Sequence, residues 1–79
     1  MKNVTVYTTP TCGWCHRVKS YLTEKGISFE EKDVSRDREA AMEMIKKTNQ
    51  MGVPVLDIGG AMIVGFDKER INYFLGIES

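Results

Sequence analysis

Two cysteines stand two residues apart in Cys12-Gly13-Trp14-Cys15, and the 79-residue chain holds no others. Such a pair can perform thiol–disulfide exchange: one thiolate attacks a disulfide sulfur, a mixed disulfide forms, and the second thiol displaces the product. A structural staple is the poorer reading, because closing so short a loop takes little entropy from the unfolded chain. Zinc fits no better. A closed zinc site takes four ligands, whereas Cys12, Cys15 and the adjacent His16 are all the Cys and His side chains present. No metal is expected in the site.

Position assigns the two thiols their roles. Residues 2–8, Lys2-Asn3-Val4-Thr5-Val6-Tyr7-Thr8, are largely β-branched and aromatic and run into Pro10 and Gly13, which predicts a strand entering a turn. From Cys12 to Lys25, Cys15, Val18, Tyr21 and Leu22 recur at three- and four-residue steps, and Gly26 follows as a stop. That is an amphipathic helix with Cys12 at its start. Unpaired N–H groups and the positive dipole end favour an anion there, and such placement brings a cysteine pKa from about 8.5 towards 7 or below. Cys12 is therefore expected to attack and Cys15, one turn on, to resolve. Trp14 is expected to be exposed and to touch substrate. Arg17 and Lys19 read as a solvated helix face, and His16 reads equally as that or as a neighbour of the thiolate.

The rest of the chain must hold this turn in place. Residues 27–34 are a weak strand candidate, after which Ser35 or Asp37 can cap a helix carrying Ala41, Met44, Ile45 and Thr48 on one face. That helix ends over residues 49–52. Pro54 precedes the apolar run 55–58, Gly59-Gly60 forms a two-residue hairpin loop into 61–64, and Gly65 breaks the strand. Asp67 can cap a last helix with Ile71, Phe74 and Leu75 as its buried stripe. Met42, Met44, Met51 and Met62 read as fillers of irregular core gaps. The order β-α-β-α-β-β-α, without linker or repeat, predicts a single α/β domain over 1–79. Its sheet must be mixed, because the first crossover permits parallel strands and the Gly59-Gly60 hairpin imposes an antiparallel pair.

Eleven basic and eleven acidic residues cancel, and no Lys/Arg run is dense enough for a nucleic-acid face. No apolar stretch nears the roughly 20 residues that span a bilayer, and Met1 to Val4 lack a signal-peptide core. The expectation is a soluble, cytoplasmic monomer that engages neither nucleic acid nor membrane.

Taken in order and spacing, Thr9-Pro10-Thr11-Cys12-Gly13-Trp14-Cys15, Gly52-Val53-Pro54-Val55, Gly59-Gly60 and Gly65-Phe66-Asp67 resemble the glutaredoxin family over nearly the whole chain. The resemblance implies the thioredoxin fold, a four-stranded mixed sheet flanked by three helices. It also implies an electron carrier that reduces disulfide-containing client proteins or glutathione mixed disulfides, with no tightly bound cofactor. In this family the bond matching Val53-Pro54 is cis and faces the cysteines, so that the Val53 N–H and C=O can pair with an extended substrate. Thr8, Gly65, Phe66 and Asp67 are the further ligand contacts it implies. Two departures bear on the electron donor. Gly13-Trp14 replaces the Pro-Tyr of many members, which loosens the helix entry. Lys68 follows Asp67 where glutathione-binding members carry adjacent acids. Gly65-Phe66 also resembles the redoxins that serve ribonucleotide reductase and are reduced by thioredoxin reductase, so glutathione and thioredoxin reductase both stand as reductants. Gly13 is similar, too, to members that hold an iron–sulfur cluster between two protomers with glutathione as co-ligand, which is the alternative function.

Overall fold

A computed structural model describes residues 3–77. In chain order its elements are β1 Val4–Thr8, α1 Gly13–Glu24, β2 Glu30–Asp33, α2 Arg38–Thr48, β3 Val55–Ile58, β4 Ala61–Val64 and α3 Lys68–Leu75. The sheet runs β2-β1-β3-β4. β1 pairs parallel to β2, with Val6 opposite Glu31, and antiparallel to β3, with Val6 opposite Leu56. β3 and β4 form the expected antiparallel hairpin. Both loop residues have positive φ, 58° at Gly59 and 98° at Gly60, a backbone that glycine adopts without steric cost. Asp57 Oδ1 accepts the Gly60 N–H at 2.8 Å.

The pleat sorts the core into two layers. Val4 and Val6 of β1, Leu56 and Ile58 of β3, and Ile63 of β4 meet Val18, Tyr21 and Leu22 of α1 and Ile71 of α3. Tyr7 and Val55, one residue out of phase, face Ala40 and Met44 of α2. The mixed sheet flanked by three helices is thus the architecture that the sequence pattern and the resemblance together predicted.

Several boundaries differ from expectation. Lys2 and the other outermost residues, 1 and 78–79, lie outside the described residues. The second strand is only Glu30–Asp33; Ile27 and Phe29 pack partly buried against the core ahead of it. Asp37, not Ser35, caps α2: its Oδ1 accepts the Ala40 N–H at 3.1 Å. The Ser35 N–H and hydroxyl instead donate to Asp33 Oδ1 at 2.9 and 2.5 Å. The deepest residues of α2 are therefore Ala40 and Met44, with Ala41, Ile45 and Thr48 half-buried. On α3, Phe74 and Leu75 are half-buried and Asn72 goes fully in, accepting a hydrogen bond from the buried Tyr21 hydroxyl. Of the methionines, Met44 fills the core and Met62 packs at its edge, but Met42 and Met51 are exposed and fill nothing.

This topology brings three loops together. Because Tyr7 lies opposite Val55, and Val55 opposite Val64, the chain leaving β1, the chain entering β3 and the chain leaving β4 meet at one end of the sheet. The Gly65 N–H donates to the Pro54 carbonyl at 2.8 Å and ties the second and third of these.

Candidate functional site

Cys12 is the N-cap of α1. Its extended backbone, φ −88° and ψ 111°, turns the side chain back over the first helical turn, where Sγ accepts the Cys15 N–H at 3.1 Å. A donor at a helix N-terminus aimed at sulfur stabilises negative charge on it. The N-cap is held by its own main chain, with the Cys12 N–H on the Thr9 carbonyl and the His16 N–H on the Cys12 carbonyl, each at 3.3 Å. The His16 ring, exposed, sits with Nε2 3.2 Å from the Pro10 carbonyl oxygen and so packs against the loop before Cys12.

The two thiols are free and unequal. Cys12 is half-exposed, whereas Cys15 is fully buried. Burial pushes the Cys15 thiol up from its ordinary pKa, and the hydrogen bond to the Cys12 side chain adds to that; hydrogen bonds from the Thr8 side chain and Thr9 backbone act the other way. Thr8, expected as a ligand contact, is 2% exposed, and its hydroxyl serves Thr9 and Cys15 from beneath.

Across from Cys12 lies the Val53-Pro54 loop, and its peptide bond is cis. The Val53 carbonyl oxygen is 4.0 Å from Cys12 Sγ, and the Val53 N–H takes part in no hydrogen bond among the described residues. Gln50, which sequence reasoning missed, braces this loop: its side-chain amide accepts the Gly52 N–H at 2.6 Å and donates to the Gly52 carbonyl at 3.1 Å. The clue was a long amide two residues before a glycine in a segment that no helix or strand pattern claimed.

The third side is aromatic. Trp14 is 56% exposed and meets Phe66 edge-on at 6.5 Å between centroids, while Phe66 rests on Tyr21 at 5.6 Å. Gly65, with φ 83°, makes the bend that presents Phe66, and a Cβ added there would meet nothing within 4 Å. Asp67 caps α3: Oδ1 accepts the Arg70 N–H at 3.2 Å and Oδ2 lies 3.6 Å from Arg70 Nε. Its carboxylate is half-exposed. Trp14, Val53, Pro54, Gly65 and Phe66 thus border the same end of the sheet as Cys12, and Asp67 stands just behind them at the start of α3.

Among the described residues no three metal-ligating carboxylate, thiol or imidazole groups cluster, and no helix is long and apolar enough to cross a membrane. Comparison with known proteins agrees with this geometry. The model of the family described as Glutaredoxin matches residues 4–63. Glutaredoxin 3 of Escherichia coli strain K12 is 40% identical over 67 residues, covering 85% of this chain and 81% of its own. A crystal structure of a mutant of the thioredoxin-like protein BC3987 superposes with a TM-score of 0.91 at 32% identity, over 99% of this chain and all of that one. The glutaredoxin-like protein NrdH-redoxin of Escherichia coli, described as having a thioredoxin-like activity profile, gives 0.79 at 31% identity over 90% and 92% of the two chains. These relatives favour thiol chemistry over the cluster-carrying alternative. The chain belongs to the glutaredoxin family and is a thiol–disulfide redox protein of the thioredoxin fold.

Proposed function

We propose that the protein is a glutaredoxin-like protein-disulfide reductase working through both cysteines. One observation carries the reading: an accessible sulfur, Cys12, is held under a helix N-terminal N–H, with a second, buried cysteine one turn behind it. The Cys12 side chain already folds back over the first turn, with Sγ 3.1 Å from the Cys15 N–H, which brings it next to the residue that must close the disulfide.

The Cys12 thiolate attacks one sulfur of a client disulfide. A Cys12–client disulfide forms, and the leaving thiolate takes a proton from solvent. The Cys15 thiol then loses its proton and attacks Cys12 Sγ, which frees the second client thiol and leaves Cys12–Cys15 oxidised. Two electrons have passed to the client. An extended client strand pairs with the Val53 N–H and C=O, and Trp14 and Phe66 cover its flank. Thr8 supports Cys15 from below, while Gly65 and Asp67 shape the rim on which glutathione can rest.

The oxidised pair takes two electrons back from glutathione or from thioredoxin reductase. Incubating the oxidised protein with each in turn and following the recovery of two thiols identifies the donor. For the reaction itself, Cys12→Ser is expected to abolish reduction of a peptide disulfide. Retention of full turnover by that variant would falsify the proposal.

A further inference from the structure

Four cations are held in ion pairs: Lys19 with Glu31, Lys32 and Lys47 with Glu43, Lys47 also with Asp57, and Arg70 with Asp67. Two cations beside the cysteine turn are not. Among the described residues, Arg17 and Lys68 have no carboxylate within ion-pair distance, and each lies over rings instead. Arg17 Cζ is 4.9 Å from the Trp14 ring centre, and Lys68 Nζ is 5.3 Å from that of Tyr21 and 5.9 Å from that of Phe66. A ring face holds a cation through its quadrupole without cancelling the charge, so both heads stay positioned and able to bind an anion.

With His16, these two cations line an open groove of about 330 Å³ along the outer side of α1, next to Tyr21 and Phe66. Its one carboxylate, Glu24, is the last residue of α1, two turns beyond Arg17, so the end nearer Cys12 is the positive one. The groove also joins the site directly, because Trp14 and Phe66 touch each other and each carries one of the cations.

We propose that this groove docks a carboxylate-bearing segment of the client polypeptide that flanks the disulfide under attack. The inference rests on the disulfide-reductase reading and adds the chemistry by which clients are chosen. Charge complementarity selects the occupant, and chain geometry sets the register. Five residues of helix from Cys12 to Arg17 advance about 7.5 Å, and an extended client covers roughly 3.3 Å per residue. The docked acids therefore stand about two to three positions from the attacked cysteine. Unpaired surface charge of this kind acts mainly on encounter and is screened by salt.

The test uses two synthetic peptides with one internal disulfide each, identical except that two Asp in one, at those positions, are Asn in the other. At low ionic strength the acidic peptide should show a kcat/KM about three- to tenfold higher, the scale expected for two exposed charge pairs. The ratio should fall towards one in the Arg17→Ala/Lys68→Ala double variant and at high salt. The Arg17→Lys/Lys68→Arg variant should keep it. Equal efficiency for both peptides with the unsubstituted protein would overturn the docking role while leaving the reductase reading intact. So would a ratio that survives the double alanine variant, including the case in which that variant loses turnover of glutathione disulfide instead. Failure to reduce either peptide would overturn the reductase reading itself.

Discussion

Cys12 and Cys15 are near in sequence yet differ in everything that governs a thiol. One caps a helix and meets solvent; the other is buried against Thr8 and Thr9. That asymmetry was legible from the sequence, because a strand, a proline, a glycine and an amphipathic stripe fix where the helix starts. The service Thr8 gives to Cys15 was not legible, since it depends on the last side chain of β1 pointing under α1. Gly13 offers a sharp test at this scale. It occupies the first helical position, Cys12 before it already has the extended backbone that a residue preceding proline adopts, and a Cβ at Gly13 would meet nothing within 4 Å. Gly13→Pro should therefore stabilise the protein by about 0.4–1 kcal/mol, chiefly by restricting the unfolded chain. A raised urea midpoint with unchanged slope is the expected reading; a lowered midpoint would show that the Gly13 N–H or its flexibility matters to the fold.

Among the elements, those with strong amphipathic patterning were read nearly as they are. The buried stripe of α1 is Cys15, Val18, Tyr21 and Leu22, and the β3–β4 hairpin turns at Gly59-Gly60. The charged β2 was overextended because its apolar neighbours Ile27 and Phe29 pack on the core without joining the sheet. Two residues offered themselves as the cap of α2, and only the local Asp33–Ser35 hydrogen bonds decide between them. Asn72 lies buried because Tyr21, 51 residues away, supplies its partner, a pairing that no local pattern encodes. The cap of α3 yields a prediction that separates two duties of one carboxylate. Asp67→Ala should cost about 1 kcal/mol of stability through the lost cap. Asp67→Asn keeps an acceptor for the Arg70 N–H and should be nearly neutral in denaturation. If Asp67 also holds the ammonium group of glutathione, Asp67→Asn should raise the KM for glutathione while stability stays level; an unchanged KM assigns Asp67 to the helix alone.

For the whole molecule, strand order and the convergence of three loops at one sheet end could not be read from local pattern, because each rests on pairings between distant segments. The resemblance to a family supplied what periodicity could not. The global pH response follows from the buried acids. Cys15 is raised first by burial, and Tyr7, also buried, is raised by burial and then by its hydrogen bond to Glu43. Both are neutral when protonated, so the native state holds their protons longer than the unfolded chain does. Their contribution is complete below the ordinary thiol and phenol pKa values and is lost as pH climbs through the raised ones. The urea midpoint of the reduced protein should fall from about pH 8 to pH 10, and Cys15→Ala should make that decline shallower. An equally steep decline in that variant would remove Cys15 as its source.

The central claim, that Cys12 attacks and Cys15 resolves, is tested most directly by mass spectrometry of the protein mixed with a peptide disulfide. Cys15→Ser should accumulate a covalent adduct of one peptide on Cys12, the unsubstituted protein should pass through it to the oxidised pair, and Cys12→Ser should form none. An adduct on Cys15 in the Cys12→Ser protein, at a rate matching the first, would contradict it.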